Sequence, residues 1–247
     1  EVWEWIKKAI ADGLTTREEL WITSKLWNTY HEKQYVLPAL EKTLKDLQLD
    51  YLDNYMIHFP IALKYVDFET RYPAEWTYNP DEKNPKMEFS WASLKETWEA
   101  MENLVEKKLV KNIWICNYNT WLLLDLLQYA KIKPYNLQVE IHPYLQQEKI
   151  VKFCEIHNIH LTWFSPLWPM SYIELNMDNN INSLLNNQNI IEISKKYNKK
   201  PAQIILKWWI QRDYSIIPKA SSINHMKENL DIFDFQLTWD EMSEINS

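Results

Sequence analysis

Two ionisable residues stand at the ends of otherwise apolar runs: Lys25 in Leu20-Trp21-Ile22-Thr23-Ser24-Lys25-Leu26-Trp27, and His58 in Tyr55-Met56-Ile57-His58-Phe59-Pro60. Short apolar runs between helical patterns read as buried parallel strands, where a charge is costly unless it is partnered. At the C-terminal end of a barrel strand the same placement reads as chemistry, the proton-moving and charge-stabilising work of ionisable side chains. A strand-end lysine reaching solvent and a satisfied core histidine are the alternatives that the residues alone leave open. A second set, Gln138, Glu140 and His142, is spaced by two and therefore faces one side of a strand. Metal ligation by Glu140 and His142 is conceivable. Two candidate ligands on one strand make a weak metal site, and no metal is expected.

The elements that must position these residues alternate without a break. Helical periodicity covers Val2–Ala11, with Gly13 as its stop. A strand over Leu20–Ser24 follows, then helix Tyr35–Leu47 and strand Asn54–Ile57. A long loop from Phe59 to about Phe89, rich in proline and aromatics, is of the length that usually carries function. Helix Trp91–Glu106, strand Lys111–Ile115, helix Thr120–Ala130, strand Asn136–Val139, helix Gln147–His157 and strand Ile159–Trp163 come next. After a polar loop through Asn180, helices are expected near Ile190–Tyr197 and over Pro201–Arg212. Strand Tyr214–Ile217, helix Ile223–Leu230 and a helical turn at Trp239–Ile245 close the series. This βα alternation implies a parallel sheet with right-handed crossovers. Six strands are too few to close an eight-stranded barrel, and no glycine-rich fingerprint marks a doubly wound nucleotide fold. The missing strands are expected upstream, since the chain opens on a helix and without an initiator Met.

Bulk composition narrows the class. Of 247 residues, 46% are hydrophobic, enough for a sizeable core in one α/β domain, here taken as residues 1–247. No segment approaches the roughly 18 uninterrupted apolar residues of a membrane span. The net charge of −7 comes without a basic stripe, which argues against nucleic acid as partner. Two cysteines, Cys116 and Cys154, suit a reducing compartment, so a cytoplasmic location is expected and no disulfide framework. The chain has one Gly against 14 Trp, where globular proteins average about 7% Gly. Turns that need positive φ must therefore use Asn and Asp.

Read together, Ser24-Lys25-Leu26-Trp27-Asn28, Ile57-His58-Phe59-Pro60 and Ile113-Trp114-Ile115-Cys116-Asn117-Tyr118 resemble the aldo-keto reductases, especially the sugar and sugar-phosphate aldehyde reductases. The likeness continues through Leu137-Gln138-Val139-Glu140-Ile141-His142-Pro143-Tyr144, Phe164-Ser165-Pro166-Leu167 and Ile217-Pro218-Lys219, in order along the whole chain. The resemblance implies a (β/α)8 TIM barrel that binds NAD(P)H in extended form, here lacking its first two strands and first helix. It implies hydride transfer from the nicotinamide to the carbonyl of an aldehyde or sugar, the cofactor supplying the difficult chemistry. In that family a Tyr donates the proton, its pKa lowered by a Lys that is paired with an Asp. Lys25 matches the Lys, and His58 matches the histidine that orients and polarises the carbonyl oxygen. The Asp and Tyr have no counterparts here, so the 247-residue chain alone is expected to be inactive. Tyr30 is a tempting substitute, but the family pattern puts it in the following loop.

The resemblance also implies that Asn117 and Gln138 hold the nicotinamide carboxamide and that Phe164 stacks on its ring, a core aromatic being the competing reading. Ser165 and Leu167 match the loop over the pyrophosphate. Lys219, Ser222, Glu228 and Asn229 match residues around the adenosine phosphate and adenine. His225 replaces the Arg of NADP-preferring members, and an imidazole is a weaker phosphate partner than a permanently charged fork. NADPH is therefore favoured only modestly, with NADH possible. Trp27 and Phe59, beside the matched catalytic pair, are expected substrate-pocket walls. Trp3, Trp5, Trp114, Trp168 and Trp209 stand where family members commonly have Gly, and Trp168 is expected to crowd the cofactor. The rival reading from another class is a non-catalytic nucleotide-binding barrel acting as a regulatory or partner subunit, a monomer or dimer in either case. A metal-dependent barrel hydrolase lacks a clustered His/Asp ligand set.

Overall fold

Leu52–Ile57 is buried along its whole length, as a parallel strand covered on both faces must be. In the computed structural model, which describes residues 2–167 and 183–246, this strand (β2) lies at the centre of the first of two compact units, residues 1–137. The strand β1, Thr23–Leu26, pairs parallel to it on one side, with Lys25 opposite Met56 and Leu26 opposite Ile57. On the other side β3, Val110–Cys116, pairs parallel with Met56 opposite Trp114 and Ile57 opposite Ile115. Around these strands run α1 (Val2–Ala11), a 3-10 turn (Asn28–Tyr30), α2 (Lys33–Leu47), α3 (Leu94–Glu106) and α4 (Thr120–Tyr129). Leu26, Leu40, Met56, Ile57, Trp98 and Ile115 are fully buried between sheet and helices.

Two boundaries differ from the sequence reading for visible reasons. The first strand begins at Thr23 rather than Leu20. The Ile22 N–H is taken by the Asp53 carboxylate at 2.9 Å, so the backbone ladder opens with the Ile22 carbonyl accepting from the Asn54 N–H at 3.2 Å, and Lys25 falls inside the strand. Helix α3 begins at Leu94 because Ser93 and Glu96 form a reciprocal capping box, leaving Trp91 outside it and 97% exposed.

Asp53 anchors the N-terminal end of β2. Its carboxylate receives the Arg17 guanidinium and the Lys111 ammonium, both at 2.8 Å, besides the Ile22 N–H. Burial alone pushes this carboxyl up, but the donors from Lys111, Ile22 and Arg17 prevail and hold it below the usual aspartate range.

The second unit, residues 138–247, contains most of β4 (Asn136–Glu140), which straddles the division. It continues with α5 (Glu148–Ile156), β5 (His160–Phe164), a 3-10 turn (Leu184–Asn186), α6 (Gln188–Tyr197), α7 (Pro201–Ile210), β6 (Ser215–Ile216), α8 (Ile223–Leu230) and α9 (Trp239–Asn246). Strands β5 and β6 pair parallel through Thr162–Ser215 and Trp163–Ile216. Trp163, Trp208 and Trp209 are fully buried, and the Trp209 ring contacts both others, Trp163 at 5.2 Å and Trp208 at 4.0 Å. Trp209 thus serves as core. Trp5 instead lies exposed, and Trp114 is half-buried against Trp21 at 6.0 Å. Trp168 and the polar loop expected through Asn180 lie outside the described residues. Among the described residues no helix is long and apolar enough to cross a membrane.

The shortage of glycine is met only in part as expected. Asn117, Asn158, Asn198 and Asp213 take positive φ, but so do Gln48, Lys108, Gln147 and Ser165. Asn and Asp tolerate this region through local hydrogen bonding, whereas longer side chains meet a steric penalty there.

Candidate active site

Strand register brings Lys25 and His58 together. Lys25 lies opposite Met56, and His58 sits two residues beyond Met56, so the pair occupies one face of the sheet at its C-terminal edge. The His58 N–H donates to the Leu26 carbonyl at 3.1 Å, extending the ladder by one residue and fixing His58 beside β1. Burial, and then the Lys25 charge, lower the imidazole to about 4. His58 is therefore neutral at physiological pH, with one ring N–H to donate and no positive charge of its own. Lys25 is half-buried, and among the described residues no carboxylate lies within ion-pair distance of its Nζ. A half-buried cation without a counter-charge beside a neutral donor is suited to a ligand oxygen that gains negative charge.

Around this pair lies a cavity of about 380 Å³ whose walls include Lys25, Trp27, Tyr30, Tyr55, His58 and Tyr72. The imidazole touches two aromatic rings, stacking on Phe59 at 4.7 Å and meeting Trp27 edge-on at 5.2 Å. Both residues expected as pocket walls are thus in contact with His58. Tyr30 is buried, burial pushes its hydroxyl up to about 12, and among the described residues no partner meets it at hydrogen-bond geometry. That is the opposite of an activated proton donor. Among the described residues no tyrosine hydroxyl is hydrogen-bonded to Lys25.

Asn117, just past β3, adopts φ of +63°. Its Nδ2 donates to the His58 carbonyl at 2.9 Å and approaches Cys116 Sγ at 3.3 Å. The side chain thus ties the end of β3 to the end of β2, a positioning role that spacing alone does not reveal. The available signal was an Asn at a strand end in a chain nearly devoid of Gly. Its Oδ1 accepts from no described residue, so the amide retains an acceptor for a carboxamide N–H, and to that extent Asn117 fits the nicotinamide. Cys116 is buried; burial pushes its thiol up to about 12 against the pull of Lys25, which leaves it unreactive. Sequence spacing also missed Trp76. This residue of the loop between β2 and α3 packs on Trp27 at 5.1 Å and on Phe59 at 4.9 Å.

In the second unit Gln138 is buried on β4, Glu140 ends that strand on the same face, and His142 is buried beyond it in an isolated bridge with Leu145. Burial lowers the His142 imidazole to about 4. Among the described residues no group of three or more His, Cys, Asp or Glu is placed to hold a metal ion. Phe164 ends β5 half-buried, and Ser165 follows with φ of +52°. Ser222 caps α8, its hydroxyl accepting from the His225 N–H at 3.1 Å. Glu228 is paired with the Lys200 ammonium, and Asn229 beside it is half-buried. Lys219 and His225 are exposed, with Leu167 half-buried. Ser222 and Glu228 therefore already hold protein partners, which an adenosine moiety would share or displace.

The aldo/keto reductase family profile matches residues 1–247. A probable NAD(P)H-dependent D-xylose reductase of Aspergillus niger is 42% identical over 100% of this chain and 76% of its own length. A second, from Neosartorya fischeri, is 43% identical over 98% of this chain and 75% of its own. Among solved structures, the aldose reductase of Schistosoma japonicum superposes with a TM-score of 0.85 at 33% identity, over 99% of this chain and 74% of that one. The parallel α/β fold is accordingly of the aldose reductase type, and the chain belongs to the aldo/keto reductase family.

Proposed function

We propose that the protein to which this chain belongs reduces the carbonyl of an aldehyde or open-chain sugar, with NADPH preferred and NADH accepted, that the carbonyl oxygen lies at His58 and Lys25, and that these 247 residues alone do not turn over. The carrying observation is the neutral imidazole held beside an ammonium that has no counter-charge among the described residues, at the ends of two adjacent parallel strands. When bound, the nicotinamide would supply the hydride for the carbonyl carbon, and the proton for the oxygen would come from a Tyr of the kind the family uses, which has no counterpart among the described residues. His58 donates its ring N–H to the oxygen and orients it, and the Lys25 charge stabilises the electron density gathering there. Trp27 and Phe59 exclude water from one side of the reacting carbon. Cofactor roles are proposed residue by residue for Asn117 in the first unit and for Gln138, Phe164, Ser165, Leu167, Lys219, Ser222, Glu228 and Asn229 in the second. Two buried thiols with no disulfide support a cytoplasmic setting.

The test, in the protein that carries this chain together with a proton-donating Tyr, is transfer of deuterium from C4-deuterated NADPH to C1 of D-xylose. Labelled xylitol is expected, formed about 10²–10³-fold more slowly by His58→Gln. Equal labelling by His58→Gln would move the carbonyl away from this site. One observation favours a second reading, nucleotide binding without turnover: among the described residues no hydroxyl is hydrogen-bonded to Lys25, and Tyr30 is raised rather than lowered. That reading expects cofactor binding with no label transfer.

A further inference from the structure

Two adjacent lysines at the start of α7 are used in different ways. The Lys199 ammonium meets the Asp231 and Asp234 carboxylates, both at 2.8 Å, and its side chain is only 9% exposed. Lys200 meets one carboxylate among the described residues, that of Glu228 on α8, and its side chain is 63% exposed. Lys199 fastens the end of α8 to α7, together with the Gln203 amide, which donates to the Asp231 carbonyl at 2.7 Å. Lys200 adds little to that fastening, because an exposed ion pair is close to neutral for stability. Glu228 lies three residues past His225, so the two share one face of α8 at the spacing of neighbouring side chains. The Lys200 ammonium therefore stands within one helical turn of His225, the residue that takes the place of a permanent cation. A lysine carries its charge on a flexible four-carbon stem, so the same ammonium can lean from Glu228 toward an anion lying over His225.

We propose that Lys200 is a specificity-determining residue for the cofactor: it supplies the permanent positive charge for the 2′-phosphate of NADPH. The assignment rests on the cofactor reading given above, which puts the adenosine phosphate at Lys219 and Ser222. A phosphate monoester carries about two negative charges at neutral pH against one for a carboxylate, so it draws the ammonium over. The three N–H donors of Lys200 let it bridge the phosphate and Glu228, and the carboxylate is not left bare beside a second anion. With NADH no phosphate arrives, and the ammonium stays on Glu228.

The experiment measures the dissociation constants of NADP⁺ and NAD⁺ by calorimetric titration of the protein that carries this chain. Lys200→Met is expected to weaken NADP⁺ about tenfold and to leave NAD⁺ within about twofold, with Lys200→Arg close to the parent. Added KCl should erode NADP⁺ affinity less steeply in Lys200→Met than in the parent. A lysine that merely screened Glu228 would become dispensable in Glu228→Gln. The expected result is instead that Lys200→Met still weakens NADP⁺ in the Glu228→Gln background. An unchanged NADP⁺ constant in Lys200→Met, equal weakening of both cofactors, or no further loss in the Glu228→Gln background overturns the inference. Lys219→Met separates that failure from failure of the cofactor reading. If Lys219→Met weakens NADP⁺ and Lys200→Met does not, Lys200 alone is removed from the site. If neither variant changes the NADP⁺ constant, the adenosine phosphate does not lie here and both readings fall.

Discussion

Strand β2 carries an ionisable group near each end and treats the two in opposite ways. At the N-terminal end the Asp53 carboxylate, its side chain only 3% exposed, is met by Arg17, Lys111 and a backbone N–H. Past the C-terminal end His58 is kept neutral by burial and by Lys25, whose own charge has no counter-ion among the described residues. A fully partnered buried charge fastens elements together but exerts little field beyond its partners. An unpartnered one is available to a ligand. One end of the strand holds the sheet, and the other is prepared to act.

This contrast is open to attack from both ends. The largest effect belongs to the C-terminal end. In the protein that carries this chain together with a proton-donating Tyr, Lys25→Met and His58→Gln are each expected to slow D-xylose reduction about 10²–10³-fold while urea unfolding changes by less than about 1 kcal/mol. A stability loss matching that of Asp53→Asn would show that the pair is structural after all. At the N-terminal end, Asp53→Asn is expected to lower unfolding free energy by about 2 kcal/mol and to leave D-xylose affinity unchanged. Because this carboxyl is held below its ordinary range, its stabilisation is complete above that range. It is lost as pH falls through the folded-state value. Asp53→Asn should therefore flatten the acid limb of the parent's pH–stability curve.

The smallest effect separates the two ends of β3. Lys108 before it and Asn117 after it take φ of +58° and +63°. Lys108→Gly relieves an exposed side chain that makes no hydrogen bond or ion pair among the described residues, and is expected to raise stability by about 1 kcal/mol. Asn117→Gly offers the same backbone relief but removes the amide that ties β3 to the His58 carbonyl. It is expected to bring no net gain and to weaken cofactor binding. Equal stabilisation by both, read from thermal melts, would mean that the Asn117 tie contributes nothing.

What was legible in the sequence follows the same division. Apolar runs and helical periodicity announced the βα order, because burial of whole strands and of helix faces leaves a one-dimensional trace. Strand-end ionisable residues announced Lys25 and His58 for the same reason: each interrupts a pattern. Contacts that depend on two distant segments left no trace. Trp76 meets Trp27 and Phe59 only because the loop is folded back by the Tyr35–Tyr65 stack and the Leu63–Phe89 bridge. The start of β1 was misread because a side chain thirty-odd positions away, Asp53, takes the Ile22 N–H. Non-Asx residues at positive φ were equally hidden, since nothing in Lys108 or Gln48 as residue types announces a left-handed turn.

The claim that Lys25 and His58 form one electrostatic unit is tested most directly by titrating the His58 ring protons in the parent chain and in Lys25→Met. The parent imidazole is expected to titrate at about 4. Burial remains in the variant but the neighbouring charge is gone, so the midpoint should move upward toward the ordinary histidine range. A midpoint unchanged or lowered in Lys25→Met would contradict the account, because the ammonium would then lie too far from His58 to share a carbonyl oxygen with it.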